Sequence, residues 1–313
     1  AIKYFFDLKN SRNLNFIFTF WTFILLVICF DLVFEFIFGF NTLGFKSYMP
    51  GRLSGFLNQE LKIGHFFSAF FLICCVYIYK VKPKKMLLYF LLISCLAISV
   101  LIGERSNFIR VFLMVTFFII FFEKKNFIKK ILLISSIFLI SFSVIFFSPN
   151  YNIRFYGQFI KPLMNTGSIV QIINNTMYGA NYDRAFKIFE KNKFFGVGLK
   201  NFRNESHKEI YKNKYLKFNE QAATTHPHQV HLEFLSETGL FGYLIFFGSM
   251  LYCFFIFIKK YFINRNLISL SAFLYIIFSL APIIPSGSFF TTYAASLFWI
   301  NFAIMISFFD KKN

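Results

Sequence analysis

Long apolar runs separated by basic clusters constrain this chain more than any other feature. A run of about 17 to 25 uncharged residues is the length that crosses a hydrocarbon core of about 30 Å. Such runs fall at roughly 14–31, 63–79, 86–103, 106–122, 131–148, 238–258, 267–284 and 289–309. Aromatic and β-branched residues fill them, yet an open sheet edge cannot be satisfied in lipid, so each run is read as a helix. The predicted fold is all-α, a polytopic membrane protein with about eight transmembrane helices. Residues 1–148 carry five of them, 149–229 form a long connection with short helices, and 230–313 carry three. With 57% hydrophobic residues, among them 53 phenylalanines, the 313-residue chain is too apolar for a water-soluble domain.

Orientation follows from the short basic clusters. Lys3, Lys9 and Arg12 open the chain; Lys80, Lys82, Lys84 and Lys85 follow, then Lys124, Lys125, Lys129 and Lys130, then Lys259, Lys260 and Arg265, then Lys311 and Lys312. These clusters hold 16 basic residues at every second connection, against 5 at the alternate short connections and nearby helix ends. The rule that basic loops stay inside places both termini in the cytoplasm and 149–229 outside. Much of the net charge of +19 is therefore topological, which argues against a nucleic-acid partner. The long connection keeps 12 basic residues against 5 acidic ones, a surface suited to anionic head groups or a phosphorylated substrate. All five cysteines lie in predicted spans, so no disulfide framework is expected.

Where the connection returns to the membrane, the stretch HPHQVHLEFLSETGLFG (226–242) gathers three histidines and two glutamates. A histidine at a membrane surface can be neutral near pH 7 and accept a proton, the property of a general base. His226, His228 and His231 with Glu233 or Glu237 could instead hold zinc, although no established ligand spacing is present. Upstream, NYDRAFKIFEKNKFFGVGLKNF (181–202) reads as a helix stopped at Gly196-Val197-Gly198, which is treated as a turn because no strand precedes it. Asp31 and Glu35 stand one helical turn apart at the outer end of the first span.

These residues resemble the bacterial O-antigen ligases and the related O-antigen polymerases. The family signature of His, then Asn, Ser or Gln, nine residues, and Gly-x-x-Gly corresponds to His228, Gln229, residues 230–238 and Gly239-Leu240-Phe241-Gly242. Arg184 leading to KNKFFGVGLKNF resembles a second family pattern, with Lys193 in place of the usual Pro and Lys200 in place of a common Gly. Arg105-Ser-Asn-Phe-Ile109 resembles an Arg-x-x-x-Leu motif, and GRLSGFLNQELKIGHF (51–66), with Arg52 and Gly55, resembles the first external loop. The likeness runs from about residue 30 to 242. Family members often have more spans than eight, so further N-terminal helices are expected to precede this chain.

The resemblance implies a glycosyltransferase of lipopolysaccharide biosynthesis in the bacterial inner membrane, with its active face periplasmic. Its donor is a glycan on undecaprenyl diphosphate, its acceptor the lipid A core or another glycan, and it needs neither metal nor other cofactor. His228 is the expected base, and Arg184 and Arg105 are expected on the departing diphosphate, where planar paired donors suit the charge. Arg52, Arg154, Gln229 and Glu237 are further candidates for substrate contact. Arg110, one turn deeper than Arg105, is its rival, and Glu104 could make Arg105 a mere surface ion pair. A transporter of lipid-linked glycans is the reading from another class, but transporters place polar groups near the midplane, whereas here they gather at one face.

Overall fold

The computed structural model describes residues 11–58, 60–123, 127–147, 149–166, 168, 171, 174–282 and 284–308. The basic residues Lys3, Lys9, Lys124, Lys125, Lys311 and Lys312 lie outside the described residues. The described chain is helical and contains no strand, as lipid requires of backbone that must satisfy itself. The main helices are α1 (Ser11–Phe38), α2 (Ile63–Val81), α3 (Lys85–Leu101), α4 (Arg105–Phe122), α5 (Phe127–Phe147), α6 (Met177–Lys191), α7 (Val230–Asn264), α8 (Leu267–Ser279) and α9 (Thr292–Ser307).

Among the described residues, four helices are long and apolar enough to cross a membrane: Asn15–Phe38 of α1, then α2, α4 and α7. Helices α3, α8 and α9 are apolar but shorter, at 17, 13 and 16 residues. The expected seventh and eighth spans are thus shortened, because Pro282, Pro285 and the chain around Ser286–Gly287 interrupt the helix between Ser279 and Thr292. The expected sixth span also changes: α7 starts at Val230 rather than 238 and bends at Gly239, where φ is 65° and ψ −168°. That backbone region is open essentially to glycine alone.

The chain divides into two compact units. The first comprises Ala1–Gln158, Lys260–Phe278 and Leu297–Asn313. Within it α2 is the central helix, packed against α1, α3 and α4, with Phe67, Phe71, Ile73 and Val76 buried. Helix α1 instead leaves Phe16, Phe23, Phe30 and Ile37 exposed, as a lipid-facing helix should. The five cysteines are free.

Two buried carboxylates near the end of α1 tie down the loop that follows it. Asp31 Oδ1 accepts from the backbone N–H (2.8 Å) and hydroxyl (2.6 Å) of Thr42. Glu35 accepts from the Ser54 N–H and hydroxyl and from Gly55 N–H (2.7 Å). Buried carboxylates need such donors, so the Asp31/Glu35 pair positions the loop carrying Arg52.

The second unit comprises Phe159–Lys259 and Ser279–Ser296. Helix α6 begins at Thr176, whose side chain caps Gly179 N–H, and packs Ala185 and Ile188 against Phe202 and Tyr211. The turn after α6 is bonded to the bend of α7. Val197 N–H reaches Ser236 O (3.0 Å) and Gly198 N–H reaches Glu237 O (2.9 Å). In return, Leu240 N–H reaches Lys193 O (2.7 Å) and Phe241 N–H reaches Phe194 O (3.2 Å). A Cβ on Gly196 would lie 2.4 Å from the carbonyl carbon of Glu237, and one on Gly239 would lie 2.3 Å from Phe194 O. The Gly-Val-Gly turn and the Gly-x-x-Gly bend are therefore two halves of one backbone clamp.

Candidate functional site

In the first unit, backbone contact between two glycine turns builds a cluster of arginines. A Cβ on Gly103 would sit 1.8 Å from Gly51 O, and both glycines have positive φ. Leu53 N–H also bonds to Ile102 O at 3.1 Å. This brings Arg52 Nη2 to 3.5 Å from Glu104, while the same nitrogen donates to Leu61 O at 2.7 Å. Among the described residues the buried Nε of Arg52 has no hydrogen-bond partner.

Arg154, on the π-type helical segment Asn152–Ile160, donates through Nε to Gly103 O, and Arg105 Nη1 donates to Arg154 O, each at 3.3 Å. Burial, and then the like charges of Arg52 and Arg105, pull the Arg154 guanidinium below its ordinary pKa. Three guanidinium groups thus share a partly enclosed place with too little negative charge, which is what an anion site requires.

Glu104 pairs with Arg52 and His65 (3.6 Å) and accepts from Asn107, rather than pairing with its sequence neighbour Arg105. Arg110 is buried beneath and donates to Asn107 Oδ1 at 2.9 Å. The Glu104–Arg52–His65 grouping is not visible in the sequence, since the spacing of these three residues follows no helical period; Asn107, three residues from both Glu104 and Arg110, does follow one.

In the second unit, His228 precedes α7 with φ at 58°, the left-handed region that non-glycine residues seldom occupy. Its carbonyl accepts from Ser286 N–H at 2.9 Å, which holds it there. The imidazole meets the Tyr178 ring edge-on at 5.7 Å and the His226 ring at 4.1 Å between centroids. Among the described residues neither ring nitrogen of His228 is hydrogen-bonded. Burial lowers its pKa below the ordinary 6.5, so the neutral, proton-accepting form prevails at pH 7. Tyr178, half-exposed at 38% and fifty positions upstream, gave no sequence signal.

The neighbouring polar groups are committed elsewhere. Gln229 caps α7, accepting from Leu232 N–H (2.7 Å) and donating to Pro282 O (2.8 Å). His231 bonds to the Tyr243 hydroxyl (2.9 Å) and Leu280 O (2.8 Å). Glu233 accepts from the Ser288 hydroxyl and Phe289 N–H, and Glu237 accepts from Lys200 N–H (2.5 Å) and Phe202 N–H (3.3 Å). His231 thus points away from the His226–His228 pair, and among the described residues no three His, Cys, Asp or Glu side chains converge as a metal-ligand group.

Arg184 is 1% exposed. Its guanidinium donates to Ser206 O (2.5 Å), Asn219 O (2.6 Å) and Asn219 Oδ1 (3.1 Å), so it ties α6 to two turns of the loop. Of the residues singled out in the sequence, Arg52, Arg105 and Arg154 come together in the first unit. His228, Gln229, Glu237 and Arg184 belong to the second, and of these four only His228 keeps its side-chain polar atoms uncommitted.

No curated protein matches this chain. Comparison with protein families matches residues 89–247, half of the chain, to the one described as O-antigen ligase, a stretch that includes Arg105, Arg154, Arg184, His228 and the Gly-x-x-Gly bend. The chain therefore belongs to the O-antigen ligase family of membrane glycosyltransferases.

Proposed function

We propose that this chain moves a glycan from undecaprenyl diphosphate to a sugar hydroxyl of the lipid A core, at the periplasmic face of the inner membrane. His228 takes the acceptor proton. The acceptor oxygen then bonds to the anomeric carbon as the bond to the diphosphate oxygen breaks, its electron pair leaving with the diphosphate and the anomeric centre inverting. Arg52, Arg105 and Arg154 receive the diphosphate charge. Arg184, Gln229 and Glu237 act as positioning residues. The observation that carries this reading is the uncommitted imidazole of His228 at the family's His-Gln motif, among neighbours already spent on hydrogen bonds. Polymerisation, with a second carrier-linked glycan as acceptor, is the alternative within the family.

Reconstitution decides between them. Proteoliposomes given carrier-linked glycan and lipid A core are expected to form the capped core. Product appearing only on a second carrier-linked glycan assigns polymerase activity, and no product with either acceptor overturns the proposal. The periplasmic placement has its own check. A cysteine at exposed Asn204, in a chain freed of native cysteines, should react with an impermeant maleimide in cells whose outer membrane alone is permeabilised. Labelling only after inner-membrane lysis reverses the orientation.

The arginines separate by role. Arg105→Lys and Arg154→Lys keep charge but lose the planar fork, so the donor KM should rise roughly 10- to 100-fold, the equivalent of one charge-assisted hydrogen bond. Arg184→Lys should instead lower the melting temperature, because the groups it leaves unpaired are backbone carbonyls of the loop. An unchanged melting temperature together with a raised donor KM in Arg184→Lys would return that residue to the diphosphate.

Tyr178 offers a half-exposed ring beside the base, where a sugar's apolar face can rest. Tyr178→Ala is expected to raise the acceptor KM about 2- to 10-fold with donor KM unchanged, and Tyr178→Phe to restore it. Equal acceptor KM in all three proteins would remove Tyr178 from the site.

A further inference from the structure

The backbone clamp between the turn after α6 and the bend of α7 presents an apolar surface that the fold leaves uncovered. Phe194 is 60% exposed, Phe195 77%, Leu199 63% and Phe241 52%. The Phe241 ring gathers the other two phenylalanines, with centroids 6.0 Å from Phe194 and 5.3 Å from Phe195. Large apolar groups collected on one rigid surface mark a place that something covers.

Two observations identify the cover. The surface is continuous with the lipid-facing side of α7, where Leu240, Leu244 and Ile245 are also exposed, Leu244 one helical turn after Leu240 and Ile245 one turn after Phe241. Exposed cations also surround it: Lys193 before the phenylalanines, Lys200 after Leu199, and Arg203 at the start of the next turn. Lysine and arginine stems lie along apolar surface while their charges reach phosphates, and phenylalanine and leucine between cations is the chemistry of an interfacial segment.

We propose that Phe194, Phe195, Leu199 and Phe241 form an anchor that enters the bilayer leaflet on the loop's side, with Lys193, Lys200 and Arg203 at its phosphates. The occupant is bulk phospholipid. The anchor is rigid because four backbone hydrogen bonds fix the turn to the membrane helix. It also sets a height. Ten residues, Gln229–Thr238, separate His228 from the bend; the helical part from Val230 rises about 14 Å and the two steps before it add at most about 7 Å, so the anchor holds His228 within about 20 Å of the hydrocarbon boundary. The anchor itself does not depend on the glycosyltransferase reading, and its test involves no catalysis.

The test is spin-label accessibility in liposomes of phosphatidylethanolamine and phosphatidylglycerol, using a chain whose five native cysteines are replaced. Phe195→Cys carries the label, Ile245→Cys serves as the lipid reference, and Tyr215→Cys, at a residue 98% exposed, as the water reference. The label at 195 is expected to collide with oxygen as at 245 and to be shielded from a water-soluble nickel chelate several-fold more than at 215. Leu199→Cys repeats the measurement should the first variant misfold. Nickel accessibility equal to that at 215 overturns the anchor. Shielding from both collision partners overturns it too, since protein would then cover the surface, as in a second copy of the chain. Shielding that appears only on adding undecaprenyl phosphate assigns the surface to a polyprenyl chain and likewise overturns it.

Discussion

His228→Ala should lose about 10²- to 10⁴-fold in glycan transfer, the usual contribution of general-base catalysis, while donor binding stays within error of wild type. The reasoning rests on what the side chain touches. Its ring nitrogens have no hydrogen-bond partner among the described residues, so truncating it removes a proton acceptor and leaves no buried donor unpaired. The pH profile supplies a second readout. Burial lowers the His228 pKa below 6.5, so the wild-type kcat/KM should be level from pH 7 upward and fall as pH drops through that lowered value, where the base becomes protonated. His228→Ala should lack that acid limb.

His226 is an unsuitable control despite its spacing, because its ring packs on His228. The same holds for His231, which ties α7 to Leu280. Exposed His207 is the better comparison, and His207→Ala should behave as wild type. A loss under about tenfold in His228→Ala at equal protein abundance, against the general-base expectation, would assign the base elsewhere.

The helices were legible in the sequence wherever hydropathy alone decides, as for α2 and α4; α1 was legible as a span, but it continues past the expected end at 31, through the buried Asp31 and Glu35, to Phe38. The start of α7 was not. Glu233 and Glu237 read as polar residues before a span, whereas the fold buries both by supplying backbone N–H donors from distant segments. The same limit applies to Arg184. Its residue type and motif suit a phosphate, but a guanidinium binds any set of oxygens in its plane, and here the carbonyls of Ser206 and Asn219 take those positions. Sequence reports which donors exist. Only the fold reports which are already spent.

The arginine cluster shows the converse. Arg52, Arg105 and Arg154 were each separate candidates for the substrate, from a loop, a helix end and the long connection, and their gathering depends on two glycine turns that meet backbone to backbone. Glu104 looked like the partner of adjacent Arg105, yet it stands in extended backbone just before α4, and Arg52 and His65 reach it instead. Electrostatic pairing followed three-dimensional proximity, for which sequence adjacency was a poor guide.

Gly239→Ala is expected to be the most damaging small substitution in the second unit. At φ 65° and ψ −168° an alanine is strained by on the order of 1–3 kcal/mol. The new Cβ would also stand 2.3 Å from Phe194 O, a backbone atom that cannot swing away as a side chain would. Relief requires the turn to move off α7, which breaks Leu240 N–H to Lys193 O and Phe241 N–H to Phe194 O, each worth a net of about 0.5–1.5 kcal/mol. It also pulls Lys200 and Phe202 away from the buried Glu237 carboxylate, leaving a charge without donors. Melting in detergent should therefore begin at a markedly lower temperature, with transfer lost in parallel. Gly248→Ala provides the contrast within the same helix. No atom lies within 4 Å of its added Cβ, so that variant should be unchanged or more stable by up to about 1 kcal/mol, the ordinary helical preference for alanine. Equal melting temperatures for the two variants would show that the bend at Gly239 does not hold the loop, and the glycines of both motifs would then need another explanation.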